Sequence, residues 1–164
     1  MSTPPFVPSE RTAALKRELW TEIDRRRDEL ARLCADGLRV PAENLPGDTR
    51  AVADHYERLL GKAGIRADRV EPRPTTASLV ATLPGRDARP RFTFNGHLDH
   101  FPADDHKLWS FPPYGGEIRD GKILGRGVSD MRGGLTASLF ACLLIHGHRV
   151  PLRMWRLAQE ETDR

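Results

Sequence analysis

Apolar residues recur at near-helical spacing through the first part of the chain. Ser9 is a suitable N-cap, and the periodic positions that follow it, as far as about Ala35, are Leu15, Leu19, Ile23, Leu30 and Leu33. Asp36-Gly37 predicts the end of this helix, with Gly37 in the left-handed conformation that often follows a helix C-terminus. The pattern therefore predicts one long helix over residues 9–35.

A second helix is predicted after the turn-rich segment 40–48. Asp48 is placed to cap it, and the helix runs from Thr49 to about Lys62 with Val52, Tyr56, Leu59 and Leu60 on its inner face. Gly64 follows as its stop. Residues 1–8 are proline-rich and are predicted to form a flexible arm.

Beyond residue 65 the apolar residues fall into short, strand-like runs. The predicted strands are Asp68–Glu71, Ser78–Leu83, Arg91–Asn95 and Leu152–Ala158, with a turn over 84–87. Asp120-Gly121 indicates a hairpin turn, and Leu135–Ile145 is predicted as an apolar helix that Gly147 ends. The long segment 102–116 is rich in proline and glycine, and loops of that length are usually functional or disordered. Strands that alternate with helices indicate an α/β fold.

Composition narrows the class of protein. A hydrophobic fraction of 38% and a charged fraction of 30% are typical of a soluble globular protein, and no apolar run approaches the roughly 18 residues of a membrane span. The formal charge of +3 does not indicate nucleic-acid binding, because basic residues alternate with acidic ones, as in residues 22–29. Cys34 and Cys142 are predicted to be buried thiols, which suits the cytoplasm, and the N-terminus lacks the features of a secretory signal.

His97 and Asp99 are the first candidate site residues. If the strand continues through them, both side chains project to the same side. The carboxylate can then accept a hydrogen bond from one imidazole nitrogen and leave the other free to bind a metal. The alternative is a surface loop that happens to contain a histidine. His100 and His106 receive no function, because nothing else in the sequence organises them.

Asp130 stands where an extended segment turns into a helix. Its carboxylate can cap that helix. Gly125 and Gly127 match the first two glycines of a dinucleotide fingerprint, but the third position is Asp130, whose charge would repel a pyrophosphate. A metal site, by contrast, needs such a carboxylate, which can bridge two divalent ions.

Glu160 and Glu161 are adjacent at the end of the last predicted strand. Two like charges are costly there unless a cation compensates one of them. One glutamate can bind metal while the other accepts a proton from water. The alternative is a solvated acidic terminus.

These segments together resemble the N-terminal part of the zinc exopeptidase and deacylase family, which includes acetylornithine deacetylase, succinyl-diaminopimelate desuccinylase, aminoacylase and carboxypeptidase G. The matching segments are 94–99, Trp109 with 111–113, 120–134 and 160–162. The resemblance implies the N-terminal portion of a catalytic domain over 9–164, with a central mixed sheet flanked by helices.

The resemblance also implies roles for individual residues. His97 would bind one of two zinc ions, Asp99 would hold His97, Asp130 would bridge both ions and Glu161 would bind a zinc. Glu160 would be the general base in hydrolysis of an amide in an N-acyl amino acid or short peptide. Cobalt or manganese can replace zinc at such sites. The substrate within this class is not specified by these residues.

The family pattern also contains parts that this sequence does not supply. Gln159 and Asp163 depart slightly from the residues that flank the glutamate pair in relatives. A further carboxylate, a late histidine and a lid domain through which relatives often form homodimers are not found. We therefore expect the chain to be a fragment that is inactive alone and poorly soluble, with its last strand at an unpaired sheet edge. The alternative is a truncated, non-catalytic binding or pseudo-enzyme module.

Overall fold

The computed structural model describes residues 9–83, 92–147 and 155–158, the last of these for the backbone only. Its helices are α1 (Glu10–Arg25), α2 (Arg27–Leu38), α3 (Arg50–Lys62) and α4 (Gly133–Gly147). Its strands are β1 (Ala67–Arg73), β2 (Thr76–Leu83), β3 (Phe92–Asn95), β4 (Glu117–Arg119), β5 (Lys122–Leu124) and β6 (Trp155–Ala158). The α/β class predicted from the sequence is confirmed. The predictions for residues 1–8 and for the turn at 84–87 lie outside the described residues.

Four strands form a mixed sheet in the order β1-β2-β6-β3. The β1–β2 and β2–β6 pairs are antiparallel, whereas β3 and β6 are parallel. The expectation that the last strand lies at an unpaired edge is wrong. Strand β6 pairs on both sides, with Leu157 opposite Ala81 and also opposite Phe94. Within the described part of the chain, β1 and β3 are the edges of this sheet.

The core lies between the sheet and the helices α3 and α4. Strand β2 alternates buried and half-buried side chains, as expected for a strand with one face on the core. Its buried residues pack with Val52, Tyr56 and Leu60 from α3 and with Leu135 and Leu139 from α4. This packing fixes the ends of β3 and α4, where the candidate site residues lie.

The long N-terminal helix predicted from the sequence is broken at Arg26. Ser9 caps α1 as predicted, because its hydroxyl oxygen accepts a hydrogen bond from the Thr12 amide. Arg26 then leaves helical geometry with φ −105° and ψ 16°. Helix α1 buries no side chain, whereas α2 buries Cys34, Ala35 and Leu38 against the body of the domain. The polar block of residues 22–29 has no continuous apolar stripe that would hold the two helices in one line.

The predicted C-terminus at Gly37 is also wrong. Helix α2 continues to Leu38, and Gly37 lies inside it. A Cβ atom at Gly37 would stand 2.7 Å from the Tyr56 hydroxyl oxygen, so the glycine permits close approach of α3. Gly64, by contrast, has φ +74° after α3, in agreement with its predicted role as a stop.

Helix α3 begins one residue later than predicted. Its N-cap is Thr49, but the Thr49 hydroxyl hydrogen-bonds to the backbone of Ala77 in β2 rather than to its own helix. Asp48 instead accepts the amide of Arg50 at 3.1 Å and pairs with its guanidinium. These hydrogen bonds lower the pKa of Asp48 to about 2. The carboxylate thus satisfies one free amide at the start of the helix, as the sequence pattern required.

The sequence-based statement that no segment reaches the length of a membrane span needs correction. Val128–Gly147 is long and apolar enough to cross a membrane by length and composition. Its backbone is not helical at Asp130 and Met131, so the continuous helix is α4 alone, with 15 residues. That length corresponds to about 22 Å, less than a hydrocarbon core of about 30 Å. Buried residues of α4 such as Leu139 and Cys142 pack in the core.

The segment 102–116 is held in place by specific hydrogen bonds. Trp109 donates its indole N–H to the Ala103 carbonyl at 2.8 Å, and the Ala103 amide donates to the Tyr114 hydroxyl at 3.1 Å. Tyr114 in turn donates to the Glu43 carboxylate. The predicted hairpin follows, with β4 and β5 joined by Asp120 and Gly121, both at positive φ.

Candidate active site

His97 lies just beyond the C-terminal end of β3. Its Nδ1 is 3.0 Å from Asp99 Oδ1 and also 3.0 Å from the Asp99 carbonyl oxygen. Its Nε2 is 2.9 Å from Asp130 Oδ1. Strand β3 ends at Asn95, so the meeting of His97 with Asp99 comes from the extended segment after the strand rather than from the strand itself.

The two atoms that face Nδ1 are both hydrogen-bond acceptors, so Nδ1 carries a proton. In a neutral imidazole, Nε2 then has a lone pair and cannot donate to Asp130. A lone pair and a carboxylate oxygen at 2.9 Å require a proton or a cation between them. Partial burial lowers the pKa of His97, but the hydrogen bonds with Asp130 and Asp99 outweigh this effect, and the net pKa is raised.

Asp130 reaches His97 because the chain distorts before α4. Gly127 has φ +80°, and Asp130 itself is extended, with φ −134° and ψ 94°. Helix α4 begins only at Gly133, and within the described residues the Asp130 carboxylate has His97 as its hydrogen-bond partner. The geometry therefore favours the His97 partner over the helix-capping alternative. The Asp130 side chain is 74% exposed, which leaves its second oxygen accessible.

Buried residues behind the site fix this arrangement. Arg132 is 1% exposed and donates to the carbonyl oxygens of Gly37 and Val40, at 2.9 and 3.3 Å. Burial lowers its pKa. These bonds join the turn that carries Asp130 to the C-terminal end of α2.

His100 is a structural residue that the sequence left without a role. It is buried, its Nε2 accepts the Ala42 amide at 3.0 Å, and its Nδ1 donates to the Phe101 carbonyl at 2.9 Å. This pattern defines a neutral ring, and burial lowers the pKa of His100. A Cβ atom at Gly127 would lie 3.0 Å from the His100 Cβ, so His100 also packs against the turn before Asp130.

Asn44 is a second residue that sequence reasoning missed. Its side-chain nitrogen donates to Asp99 Oδ2 at 2.7 Å. The only signal in the sequence was a turn-rich loop, and no local pattern reveals a contact between residues 44 and 99.

A cavity of about 270 Å³ opens beside Asp130. Phe101, Trp109 and Val128 supply apolar walls, and Arg126 supplies a cation. The Arg126 guanidinium lies 5.7 Å from the centre of the Trp109 ring and donates to the Phe101 carbonyl. The cavity is large enough for a small acyl group or amino-acid side chain next to the candidate metal ligands.

The described residues fit part of a metal centre. Two ligand atoms of one tetrahedral zinc stand roughly 3.4 Å apart, so the 2.9 Å between His97 Nε2 and Asp130 Oδ1 needs only a small widening. No cluster of three candidate ligands is found in residues 9–83 and 92–147. The predicted residues Glu160 and Glu161 lie outside the described part of the chain.

The segment that contains His97, Asp99 and Asp130 is similar to a known protein family. Residues 93–164 match the model of Peptidase family M20/M25/M40. This part of the chain therefore carries the sequence pattern of the peptidase M20 family. This match confirms the resemblance drawn from the sequence, and a probable succinyl-diaminopimelate desuccinylase is among the matched relatives.

Two curated relatives of this chain are informative. An N-formyl-4-amino-5-aminomethyl-2-methylpyrimidine deformylase of Halalkalibacterium halodurans is 33% identical over 138 residues, which cover 82% of this chain and 32% of the relative. A probable succinyl-diaminopimelate desuccinylase of Staphylococcus epidermidis is 37% identical, over 80% of this chain and 33% of the relative. The chain thus spans about a third of the length of these relatives.

Solved structures establish the fold of the chain. Human carnosine dipeptidase 1 superposes with a TM-score of 0.73 at 21% identity, covering 88% of this chain and 34% of the dipeptidase. An M20 family metallo-carboxypeptidase from Sulfolobus solfataricus gives a TM-score of 0.71 at 23% identity, covering 80% and 30%. At these identities the likeness concerns the fold alone.

Proposed function

We propose that this chain supplies metal-binding and catalytic residues to a zinc-dependent hydrolase that cleaves an amide bond of an N-acyl amino acid or short peptide. The observation that carries the proposal is the approach of His97 Nε2 to Asp130 Oδ1, because a metal ion can take the place of the proton that must otherwise lie between these two atoms. The match of residues 93–164 to the M20 family supports the hydrolytic chemistry.

Each residue has a proposed task. His97 and Asp130 bind metal, and Asp99 accepts a hydrogen bond from the Nδ1–H group of His97 so that Nε2 stays available. Glu161 completes the protein ligands within this chain, and Glu160 accepts and returns a proton during hydrolysis. When bound, zinc lowers the pKa of water and polarises the substrate carbonyl. Two zinc ions are proposed for the complete site, with cobalt or manganese as substitutes.

The relatives favour removal of an acyl group from nitrogen. One is a deformylase and another a desuccinylase, and both names describe that reaction. We place the acyl group or the adjoining side chain in the cavity beside Asp130, where Phe101 and Trp109 offer apolar contact. Free Cys34 and Cys142 are both buried and suit a reducing compartment, so the proposed location is the cytoplasm.

The decisive experiment replaces Glu160 by Ala in the complete gene product. Turnover of N-acyl amino acids should fall to background while metal content stays unchanged, because the proton acceptor is lost and the ligands remain. Substantial remaining turnover would refute the role of Glu160. His97→Ala is the matched variant, and it should lose metal and turnover together.

A metal measurement on the 164-residue chain separates the two functional alternatives. The non-catalytic alternative is favoured by one observation, the lack of a three-ligand cluster in residues 9–83 and 92–147. A chain that holds two zinc ions tightly would contradict the non-catalytic module. A chain with no measurable zinc affinity, together with an inactive complete gene product, would support it.

A further inference from the structure

The carboxylate of Asp99 has a hydrogen-bond partner on each oxygen. Oδ1 faces His97 Nδ1 at 3.0 Å, and Oδ2 accepts from the Asn44 side chain at 2.7 Å. The Asp99 side chain is only 17% exposed, so little water is available to replace either partner. With a partner on one oxygen alone, the carboxylate plane could rotate about its Cβ–Cγ bond, a torsion that is broad for aspartate. The second partner removes that freedom.

The backbone that carries Asn44 is fixed against the segment that carries Asp99. The His100 amide donates to the Ala42 carbonyl at 2.9 Å, and the Asn44 amide donates to the His100 carbonyl at 2.9 Å. The ring of His100 adds a third bond to the Ala42 amide, at 3.0 Å. The backbone that carries Asn44 is therefore held by hydrogen bonds to His100 next to the contact between Asn44 and Asp99.

Asn44 holds Asp99 through its side-chain amide group rather than through packing. Its side chain is exposed, so it does not fill the core. Because an ionised carboxylate only accepts hydrogen bonds, the amide nitrogen rather than the amide oxygen must face Asp99 Oδ2. A hydrogen bond to a charged acceptor is stronger than one between neutral groups.

We infer that Asn44 is a positioning residue for His97 and acts through Asp99. By holding the Asp99 carboxylate in one orientation, Asn44 favours the imidazole tautomer with the proton on Nδ1, which leaves the Nε2 lone pair available for a cation between His97 and Asp130. The inference rests on the proposed function only in that His97 Nε2 binds metal there. The orientation of the Asp99 carboxylate is a property of the metal-free chain.

The experiment measures the tautomers of His97 by two-bond ¹H–¹⁵N NMR, at a pH where the ring is neutral. In the metal-free chain, Asp99 attracts the proton to Nδ1, and Asp130 attracts it to Nε2. Asn44→Leu keeps the approximate size of the side chain and removes the donor. It should shift the ratio of Nδ1–H to Nε2–H tautomer by about fivefold toward Nε2–H, the change expected from one hydrogen bond.

Matched variants make this result specific. Asn44→Gln retains an amide donor and should restore part of the ratio, whereas Leu45→Ala, at a neighbouring side chain that is 84% exposed, should leave the ratio unchanged. Asn44→Ala serves as a second donor-free variant if Asn44→Leu does not fold. An unaltered Trp109 indole resonance verifies that each variant keeps the local structure.

A wild-type tautomer ratio in the folded donor-free variants would overturn the inference. So would an equal shift in Leu45→Ala. Zinc affinity, measured by competition with a chromophoric chelator, should follow the same order of variants with a loss of about threefold to tenfold, less than for direct loss of the Asp99 partner. A shifted ratio would support the role of Asn44 even in a chain without zinc affinity, and the proposed function would be contradicted only if the complete gene product also failed to bind zinc. Normal zinc affinity with an unshifted tautomer ratio would support the proposed function and contradict the role of Asn44.

Discussion

His97 and His100 stand on the same extended segment, but their surroundings act on the imidazole in opposite ways. His97 is half-buried and lies between two carboxylates, which raise its pKa despite the opposing effect of burial. His100 is buried and has backbone partners on both nitrogens, and burial lowers its pKa. The His97 ring, which faces solvent and two carboxylates, is available for chemistry. The His100 ring, which is hydrogen-bonded to the backbone through both nitrogens, holds the loops together.

The largest expected difference between the two histidines is in metal affinity. His97→Ala should lower zinc affinity at least about 100-fold, because loss of a ligand costs no less than loss of the partner that orients it. Its effect on the free energy of unfolding should be small, since the side chain is 33% exposed. Chelator competition and urea denaturation measure the two quantities.

His100→Ala should give the opposite pattern. It should cost about 1–3 kcal/mol of unfolding free energy, because the Ala42 amide and the Phe101 carbonyl lose their partner inside the protein. His106→Ala is the control for both variants, as His106 is exposed. A His97→Ala chain that loses more stability than His100→Ala would break the comparison.

The next largest effect concerns the turn that carries Asp130. Gly127→Ala places a side chain at φ +80° and 3.0 Å from the His100 Cβ, so it should cost about 1–3 kcal/mol and lower zinc affinity. Gly121→Ala is the matched control, because its φ is +72° but nothing lies within 4 Å of the added Cβ. Equal losses in both variants would show that backbone conformation alone, rather than contact with His100, sets the requirement.

The pH dependence of stability should also distinguish the histidines in the metal-free chain. The pKa of His97 is raised above its ordinary value of 6.5, so its contribution is complete below pH 6.5 and is lost as the pH rises through the folded-state pKa. The pKa of His100 is lowered, so the neutral ring contributes above pH 6.5, and that contribution falls as the pH drops below 6.5.

Denaturation curves from pH 5 to 9 test this sign for each histidine separately. His97→Ala should flatten the slope on the alkaline side of about pH 6.5, and His100→Gln should flatten it on the acidic side. Identical pH profiles for wild type and His97→Ala would contradict the raised pKa of His97.

The smallest effect is expected at the sheet edges. Strand β3 consists of Phe92-Thr93-Phe94-Asn95, is an edge within the described residues, and exposes 48% of Phe92. Phe92→Lys should raise the highest concentration at which the chain stays monomeric, because charge on an edge strand opposes pairing between chains. Val70→Lys on β1 should have less effect, since β1 already carries charged residues. Light scattering at rising protein concentration compares the two.

The sequence by itself determined the local elements and the chemistry of the candidate residues. Helical periodicity, the cap at Ser9, the stop at Gly64 and the hairpin at Asp120-Gly121 depend on interactions between neighbours in the chain, and the structure contains all of them. The motif around His97, Asp99 and Asp130 carried the family resemblance for the same reason, because residue types and spacing are local properties. The roles of Glu160 and Glu161 remain predictions.

Tertiary structure decided what joins those local pieces. It placed β6 inside the sheet, broke the first helix at Arg26 and continued α2 through Gly37 because Tyr56 packs there. It also brought Asn44 to Asp99, and His100 to Ala42. The pairing of β6, the packing of Tyr56 at Gly37 and these two hydrogen bonds join residues far apart in sequence. Their free energy comes from burial and hydrogen bonds that exist only once the layers of the fold have packed together.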